Sequence, residues 1–244
     1  MTAIDFDRFD ALTFDCYGTL IDWETGILRG LRTVLGAAGV QATDDELLEA
    51  YAKEEAALEH GPYLRYREVL ARAARGVATG LGVTPTDAAL EAFGGSVGDW
   101  PEFQDSADAL LRLKERFRLG VITNCDDDLF AASNRRLGVT FDWVITAQQV
   151  GAYKPSHRNF DAAFAVIDVP RQRILHVAQS LFHDHVPAKA RGLTTAWIDR
   201  RHDKAGSGAT PAAAPVTPDI TAPDMRTFAD LALGGAGKPA GAAR

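Results

Sequence analysis

The chain of 244 residues is 46% hydrophobic, enough to bury a sizeable core in one large domain or two smaller ones. Its formal net charge of -7 disfavours a nucleic-acid or anionic-membrane partner, which would require a concentrated basic face, and no such face is visible. The two cysteines, Cys16 and Cys125, have neither the number nor the spacing of a disulfide framework or a zinc site, which suits a reducing compartment, the cytoplasm being the simplest address.

The opening segment, MTAIDFDRFDALTF, is acidic and has no long apolar stretch, so neither a signal peptide nor a membrane span is expected there. Ala11, Leu12, Thr13 and Phe14 form a short apolar run ending at Asp15 and Gly18, as expected of a buried parallel strand that empties into a loop. From there to Trp100 no strand signal occurs. DDELLEAYAKEEAALEH is rich in the helix formers Ala, Leu and Glu, with Thr43 as a cap, and YLRYREVLARAARGVATGLG repeats apolar positions at helical spacing. These segments predict a helical insertion over 22–100, placed to cover the carboxyl ends of the sheet strands, where open α/β sheets hold ligands.

Strand and helix patterns alternate from about residue 101 to 200. SADALLRLKERF reads as a helix with Ser106 as N-cap, and DLFAASNRRLG as a helix closed by Gly138. Apolar runs precede Thr123-Asn124, follow Phe141-Asp142, and precede Gln179 and Asp199. The expected fold is therefore α/β, a Rossmann-like doubly wound parallel sheet core built from 1–21 and 101–233, with an inserted helical cap domain. HDKAGSGATPAAAPVTP reads as a loop, DMRTFADLAL as a last short element that docks back, and 234–244 as a disordered tail. There is no internal repeat.

Four positions converge if this sheet is correct: Asp15, Thr123 with Asn124, Lys154, and Asp184, each at or just past a strand end. A carboxylate beside a lysine suits covalent catalysis by an aspartate, with the cation holding the anion ionised and stabilising developing charge. Thr19, Thr123 and Asn124 could aim hydrogen-bond donors at the carboxylate and leaving group. Taken alone, an aspartate at a strand end is more often a turn or cap residue.

The segments FDCYGTLID, VITN, GAYKPSHRNF and VAQSLFHDHVPAKARGL, in that order between about Phe9 and Arg200, resemble the haloacid dehalogenase superfamily, most closely its type II 2-haloacid dehalogenases. The resemblance implies that Asp15 is the nucleophile, Thr19 its hydrogen-bonding partner, Lys154 the charge-stabilising lysine and Asp184 the acid that holds or deprotonates the hydrolytic water alongside Ser180. It also implies substrate contacts from Tyr17, Thr123, Asn124 and Ser180; Arg65, near the cleft in the cap, is a candidate anion grip on its charge alone. Phosphatases of the superfamily carry an acid two residues after the nucleophile to protonate an alkoxide; Tyr17 stands there, and a halide needs no proton. Gln179 stands where a magnesium-binding acid would be. No metal or other cofactor is expected.

Some positions depart from the type II pattern. No arginine lies between Arg32 and Arg65 to grip a substrate carboxylate, which leaves Lys53, Arg65 or Arg67 to substitute, or a different substrate. Phe160 replaces a tyrosine, and QSLFHD replaces a serine-asparagine-aromatic-acid arrangement. His183 and His185 are too sparse for a metal cluster, while His176 and Cys16 read as packing. The expected function is displacement of halide from a small 2-haloalkanoic acid through an aspartyl ester. The partner is then a small-molecule substrate, with no nucleic acid and no membrane, and a homodimer is suggested by the resemblance. The alternatives are a phosphatase or phosphonatase-like enzyme with magnesium between Asp15, the Tyr17 carbonyl and Asp184, or a non-catalytic relative that binds a small molecule.

Overall fold

The computed structural model describes residues 4–36, 40–204 and 206–234. The first strand, β1 (Ala11–Phe14), is wholly buried and is followed by four helices, α1 (Trp23–Leu35), α2 (Asp44–Glu59), α3 (Tyr66–Gly80) and α4 (Asp87–Gly94). After a single 3-10 turn come α5 (Ser106–Lys114), β2 (Arg118–Thr123), α6 (Asp127–Leu137), β3 (Trp143–Thr146), the short α7 (Ala147–Val150) and α8 (His157–Val166). The chain then forms β4 (Ile174–Ala178), a π-turn over Leu181–His185, α9 (Val186–Ala190), β5 (Thr194–Ile198), β6 (Ile220–Ala222) and α10 (Met225–Gly234).

The strands form one parallel sheet in the order β3-β2-β1-β4-β5-β6. Thr13 pairs with Gly120 on one side and His176 on the other, which sets β1 at the centre between β2 and β4. The order reverses on either side of β1, so the crevice beyond its carboxyl end is a topological switch point of the kind that holds ligands. Successive side chains alternate between the faces. Ala11, Ile122 and Ile145 pack with Phe160 and Ala163 of α8 on one face, whereas Leu12, Phe14 and Val121 pack with Leu110 and Phe228 on the other.

The helical insertion forms where composition and periodicity predict it. Thr43 caps α2 in a complete capping box, accepting from the Glu46 N–H at 3.2 Å while Glu46 accepts from the Thr43 N–H at 2.8 Å. The apolar side of α3 buries Val69, Leu70, Ala73 and Val77 in the same cluster as Leu12 and Phe14, so insertion and sheet share one continuous core. Gly138 takes the left-handed conformation that closes α6, at φ 64°.

One expectation is corrected here, and one strand is added. Ser106 opens α5 but does not cap it; Asp105 holds the N-cap position, and the Ser106 hydroxyl instead donates to the Leu20 carbonyl at 2.8 Å in a buried setting. The loop after Arg201 leads into a strand, β6, whose Ile-Thr-Ala is too short to give a periodic signal. The last element docks as expected, α10 meeting α5 through Arg112 and Asp230 at 2.7 Å. It runs to Gly234, and residues 235–244 of the expected tail lie outside the described residues. Among the described residues no helix is long and apolar enough to cross a membrane.

Candidate active site

The loop after β1 is built to turn a hydroxyl back on the carboxylate it follows. The Cys16 carbonyl accepts from the N–H groups of Leu20 at 2.7 Å and Ile21 at 3.0 Å, and Gly18, at φ 89°, gives the chain the left-handed step this requires. A Cβ at Gly18 would also stand 2.9 Å from the Trp23 indole nitrogen, so close packing excludes a side chain there. The turn delivers the Thr19 hydroxyl to Asp15 Oδ2 at 2.7 Å, while the same oxygen of Thr19 accepts from the Gln179 N–H at 2.9 Å.

Lys154 reaches the other oxygen of Asp15. Its ammonium donates at 2.8 Å to Asp15 Oδ1, at 2.7 Å to Asp184 Oδ1 and at 2.8 Å to the Ile122 carbonyl, which uses all three of its protons. Asn124 fixes the lysine backbone from both sides, accepting from the Lys154 N–H at 2.7 Å and donating to its carbonyl at 3.1 Å. Asp184 is aligned by His176, whose Nε2 lies 3.0 Å from Asp184 Oδ1 and whose Nδ1 lies 3.0 Å from the Thr13 hydroxyl. With Asp184 ionised, Nε2 is the donor in that contact. Asp184 Oδ2 is buried and has no hydrogen-bond partner among the described residues.

These groups border a cavity of about 30 Å3, room for a few small atoms, that opens at the switch point of the sheet. Asp15, Asn124, Lys154, Ser180 and Asp184 form its floor. The insertion supplies the roof: Trp23 from α1, Glu55 and Glu59 from α2, and Tyr66 from α3. Glu55 Oε1 accepts from the hydroxyls of Tyr51 at 2.8 Å and Tyr66 at 3.0 Å. Glu59 spans to the floor, with Oε1 3.5 Å from Asn124 Nδ2 and Oε2 3.7 Å from His183 Nε2. The other ring nitrogen of His183 lies 3.1 Å from the Ser180 hydroxyl.

Burial and charge act against each other in this cluster. Burial alone would lower the Lys154 ammonium, but the carboxylates of Asp15 and Asp184 more than offset it and raise it above an ordinary lysine. For Asp15 burial wins, holding its carboxyl above the usual value against the pull of Lys154 and the Thr19 hydroxyl. Burial would raise Asp184 too, yet Lys154 and His176 together leave it well below the carboxylate range. Burial pushes Glu55 up to about 7 against the hydrogen bonds of its two tyrosines, and burial with the neighbouring Glu55 raises Glu59 as well. Burial lowers His183 to about 4, so its imidazole is neutral near pH 7.

The shift of Glu55 makes stability depend on pH. Its folded value of about 7 lies above the ordinary 4.5, so the stabilising contribution is complete below about pH 4.5 and is lost as pH rises through 7. On alkalinisation Glu55→Gln should therefore lose less stability than the parent protein, by a difference on the order of 3 kcal/mol. Urea unfolding of both proteins at about pH 5 and about pH 9 measures it; equal losses would show that Glu55 is not held protonated.

Of the residues expected at the site, Asp15, Thr19, Lys154 and Asp184 are joined directly, and Tyr17, Asn124 and Ser180 border the cavity. Tyr17 contributes its ring alone, because its hydroxyl is taken up by Ser133 at 3.0 Å and Cys125 at 3.3 Å. Thr123 is buried at the end of β2 and is not among the residues bordering the cavity, and its hydroxyl has no partner among the described residues. Alternation along the strand gives the approach to Lys154 to Asn124, one residue further on.

Arg65 is corrected. It sits exposed at the N-cap of α3. Arg67 is turned to Asp126 at 3.3 Å and Asp128 at 2.6 Å, and Lys53 is exposed; none of the three borders the cavity. The first turn of α3 docks on the start of α6, where Asp126 accepts the Tyr66 and Arg67 N–H groups, and this commits the nearby guanidinium to the contact between insertion and sheet. Phe160 packs edge-on against His176 at 5.1 Å. His176 is a satisfied buried residue as expected, and it additionally orients Asp184. Sequence reading missed Glu55 and Glu59 and set His183 aside. Their one signal is spacing, since Tyr51, Glu55 and Glu59 share a helix face.

A divalent ion fits these residues poorly. The Lys154 ammonium stands between Asp15 and Asp184, where a metal would bridge them, and Gln179 presents a neutral amide 3.3 Å from the Thr210 hydroxyl.

Comparison with known proteins agrees with this geometry. A family model described as haloacid dehalogenase-like hydrolase matches residues 9–180. An (S)-2-haloacid dehalogenase of Pseudomonas putida is 25% identical over 206 residues, spanning 80% of this chain and 86% of that protein. Another from Pseudomonas fluorescens is 26% identical over 200 residues, 78% of this chain and 84% of that one. In fold, the L-2-haloacid dehalogenase from Xanthobacter autotrophicus superposes with a TM-score of 0.77 at 20% identity, covering 93% of this chain and 99% of that chain.

Proposed function

Because the chain belongs to the haloacid dehalogenase-like hydrolases, we propose that it displaces halide from a small 2-haloalkanoic acid through an ester formed on Asp15. The observation that carries this reading is the shared ammonium: Lys154 holds Asp15 at 2.8 Å and Asp184 at 2.7 Å, with all three side chains buried. The ammonium opposes the burial that would neutralise one carboxylate and aims it, and a second carboxylate is fixed beside it with an oxygen unpartnered among the described residues.

In the first step an oxygen of Asp15 attacks the substrate carbon from the side opposite the halogen. The new C–O bond forms as the C–halogen bond breaks, the halide leaves with the electron pair, and the configuration at carbon inverts. Thr19 and Lys154 fix the direction of attack by holding both oxygens of the nucleophile. In the second step water attacks the Asp15 carboxyl carbon. The bond from that carbon to the substrate-bearing oxygen breaks, the departing alkoxide takes a proton from the water, and the 2-hydroxy acid is released. Asp15 then re-ionises, so each turnover yields one halide and one proton.

Asp184 Oδ2 is the acceptor we assign to the attacking water. Its strong ionisation suits it to orienting that water more than to keeping its proton. Residues 22–100 act in this reading as the cap that excludes solvent and sizes the cavity. A cavity of about 30 Å3 restricts the substrate to small acids.

Chloride release from 2-chloropropionate, followed with and without a strong chelator, tests the reading. We expect 2-hydroxypropionate and chloride in equal amounts at a rate that the chelator leaves unchanged. Turnover of an aryl phosphate that appears only on adding magnesium, with no chloride release, would replace it by the phosphatase alternative.

A further inference from the structure

We propose that the cap grips the substrate head group with Glu55 and Glu59 as protonated hydrogen-bond donors in place of a cation, so that a small 2-halocarboxylate enters the site together with a proton. This rests on the dehalogenase reading of the same cavity and names the residues that select its substrate.

The positive charge expected to meet a substrate carboxylate is missing. Among the described residues bordering the cavity Lys154 is the one permanent cation, and its three protons go to Asp15, Asp184 and the Ile122 carbonyl. The arginine and lysine side chains of the cap stand outside, in solvent or against α6. The roof instead presents carboxyl groups. Glu55 is only 3% exposed, and both tyrosine hydroxyls donate to its Oε1, which leaves Oε2 for a guest. Asp184, which also borders the cavity, has its buried Oδ2 unpartnered among the described residues.

A carboxylate guest placed between Asp15 and an ionised Glu55 would meet like charge at close range in a poorly solvated site, where repulsion is strong. With the proton on Glu55 Oε2 the same contact becomes a short hydrogen bond from acid to carboxylate, of the charge-assisted kind. The tyrosines hold Oε1 as acceptor, which directs the proton to Oε2. The groups that share the cavity with Glu55 are Glu59 on its own helix, Tyr66 on α3, and Asp15, Tyr17, Lys154, His183 and Asp184 below, with Tyr51 bonded to it from its own helix. Burial sets Glu55 near 7, favours the neutral acid at Glu59 and keeps His183 uncharged, so the proton that matters near neutrality belongs to the roof.

Propionate, which has no leaving group, reports the head-group contact without chemistry. Calorimetric titration of the full chain with propionate between about pH 6 and pH 8.5, in buffers of different ionisation enthalpy, should show uptake of up to one proton per bound anion. Affinity should fall toward tenfold per pH unit above about 7. Glu55→Gln, whose amide donates at every pH, should flatten the profile and abolish most of the uptake, and Glu59→Gln should reduce it. Affinity independent of pH, uptake surviving in both variants, or tighter binding of propionamide than of propionate throughout would overturn the proposal. If a variant fails to fold, proton uptake by the parent protein decides alone. Proton-linked propionate binding without halide release from 2-chloropropionate would sink the dehalogenase reading and spare the grip; halide release with a KM independent of pH would do the reverse.

Discussion

Asp15→Asn is expected to abolish halide release, lowering kcat by roughly 10^5-fold or more, the scale seen when a covalent nucleophile is removed. Asparagine keeps the shape of the side chain and one acceptor oxygen, enough for Thr19 or Lys154 but not both, and the backbone hydrogen bonds of the loop from Asp15 to Ile21 do not depend on the carboxylate. What it loses is the anion that attacks carbon and one of the two charges balancing Lys154. The variant should still bind propionate, which separates loss of chemistry from loss of the cavity. Halide release within about tenfold of the parent rate would mean that water attacks the substrate directly and that Asp15 serves only as a partner for the lysine. In the parent protein the acid limb of kcat/KM should fall above the ordinary carboxylate range, because burial raises Asp15 and activity requires it ionised.

Lys154→Met should damage activity and stability together. The lysine is 1% exposed and is the shared partner of two carboxylates that are themselves buried, so its removal leaves like charges facing each other across the floor. Breaking a buried pair in this way costs about 3–5 kcal/mol, most of it from the charge left behind. Removing one of those charges should restore part of the loss: Lys154→Met with Asp15→Asn should be more stable than Lys154→Met alone, although equally inactive. Chemical unfolding of the four proteins in the cycle gives the coupling energy directly. Additive losses would show that Lys154 and Asp15 do not act as a pair, contrary to the 2.8 Å contact.

The sheet and the floor of the site were legible in the sequence because each is written in local signals. A fully buried strand is a run of apolar residues, and Ala11 to Phe14, Leu119 to Ile122 and Ile174 to Val177 are such runs. Asp15, Lys154 and Asp184 follow apolar segments or stand in motifs whose spacing the resemblance reads, and all three meet at one ammonium. Gly138 ends α6 for a reason visible in one residue, the left-handed step that glycine permits.

The roof was not legible. Glu55 and Glu59 lie in a stretch rich in alanine, leucine and glutamate, where glutamate is a good helix former and its ordinary place is in water. Only the meeting of α2 with α3, which brings Tyr66 beside Tyr51, shows that this face is buried and that one carboxyl serves two phenols. Arg65 misled for the complementary reason: a charge near a cleft in sequence says nothing of the direction in which its helix faces, and the docking of α3 on α6 decides that. Thr123 is buried next to Asn124 at the end of β2, with its hydroxyl unpartnered among the described residues. The three-residue β6 is specified by its neighbour β5 and not by its own pattern.

Oxygen exchange at Asp15 tests the covalent chemistry most directly. After many turnovers of 2-chloropropionate in water enriched in heavy oxygen, mass spectrometry of the peptide containing Asp15 should find the heavy isotope in that side chain, because each hydrolysis cuts at the enzyme's own carboxyl carbon. In a single turnover with enzyme in excess, the 2-hydroxypropionate should carry the light oxygen originally present on Asp15. Heavy oxygen in the first-turnover product, with Asp15 unlabelled after prolonged reaction, would contradict an ester on this residue.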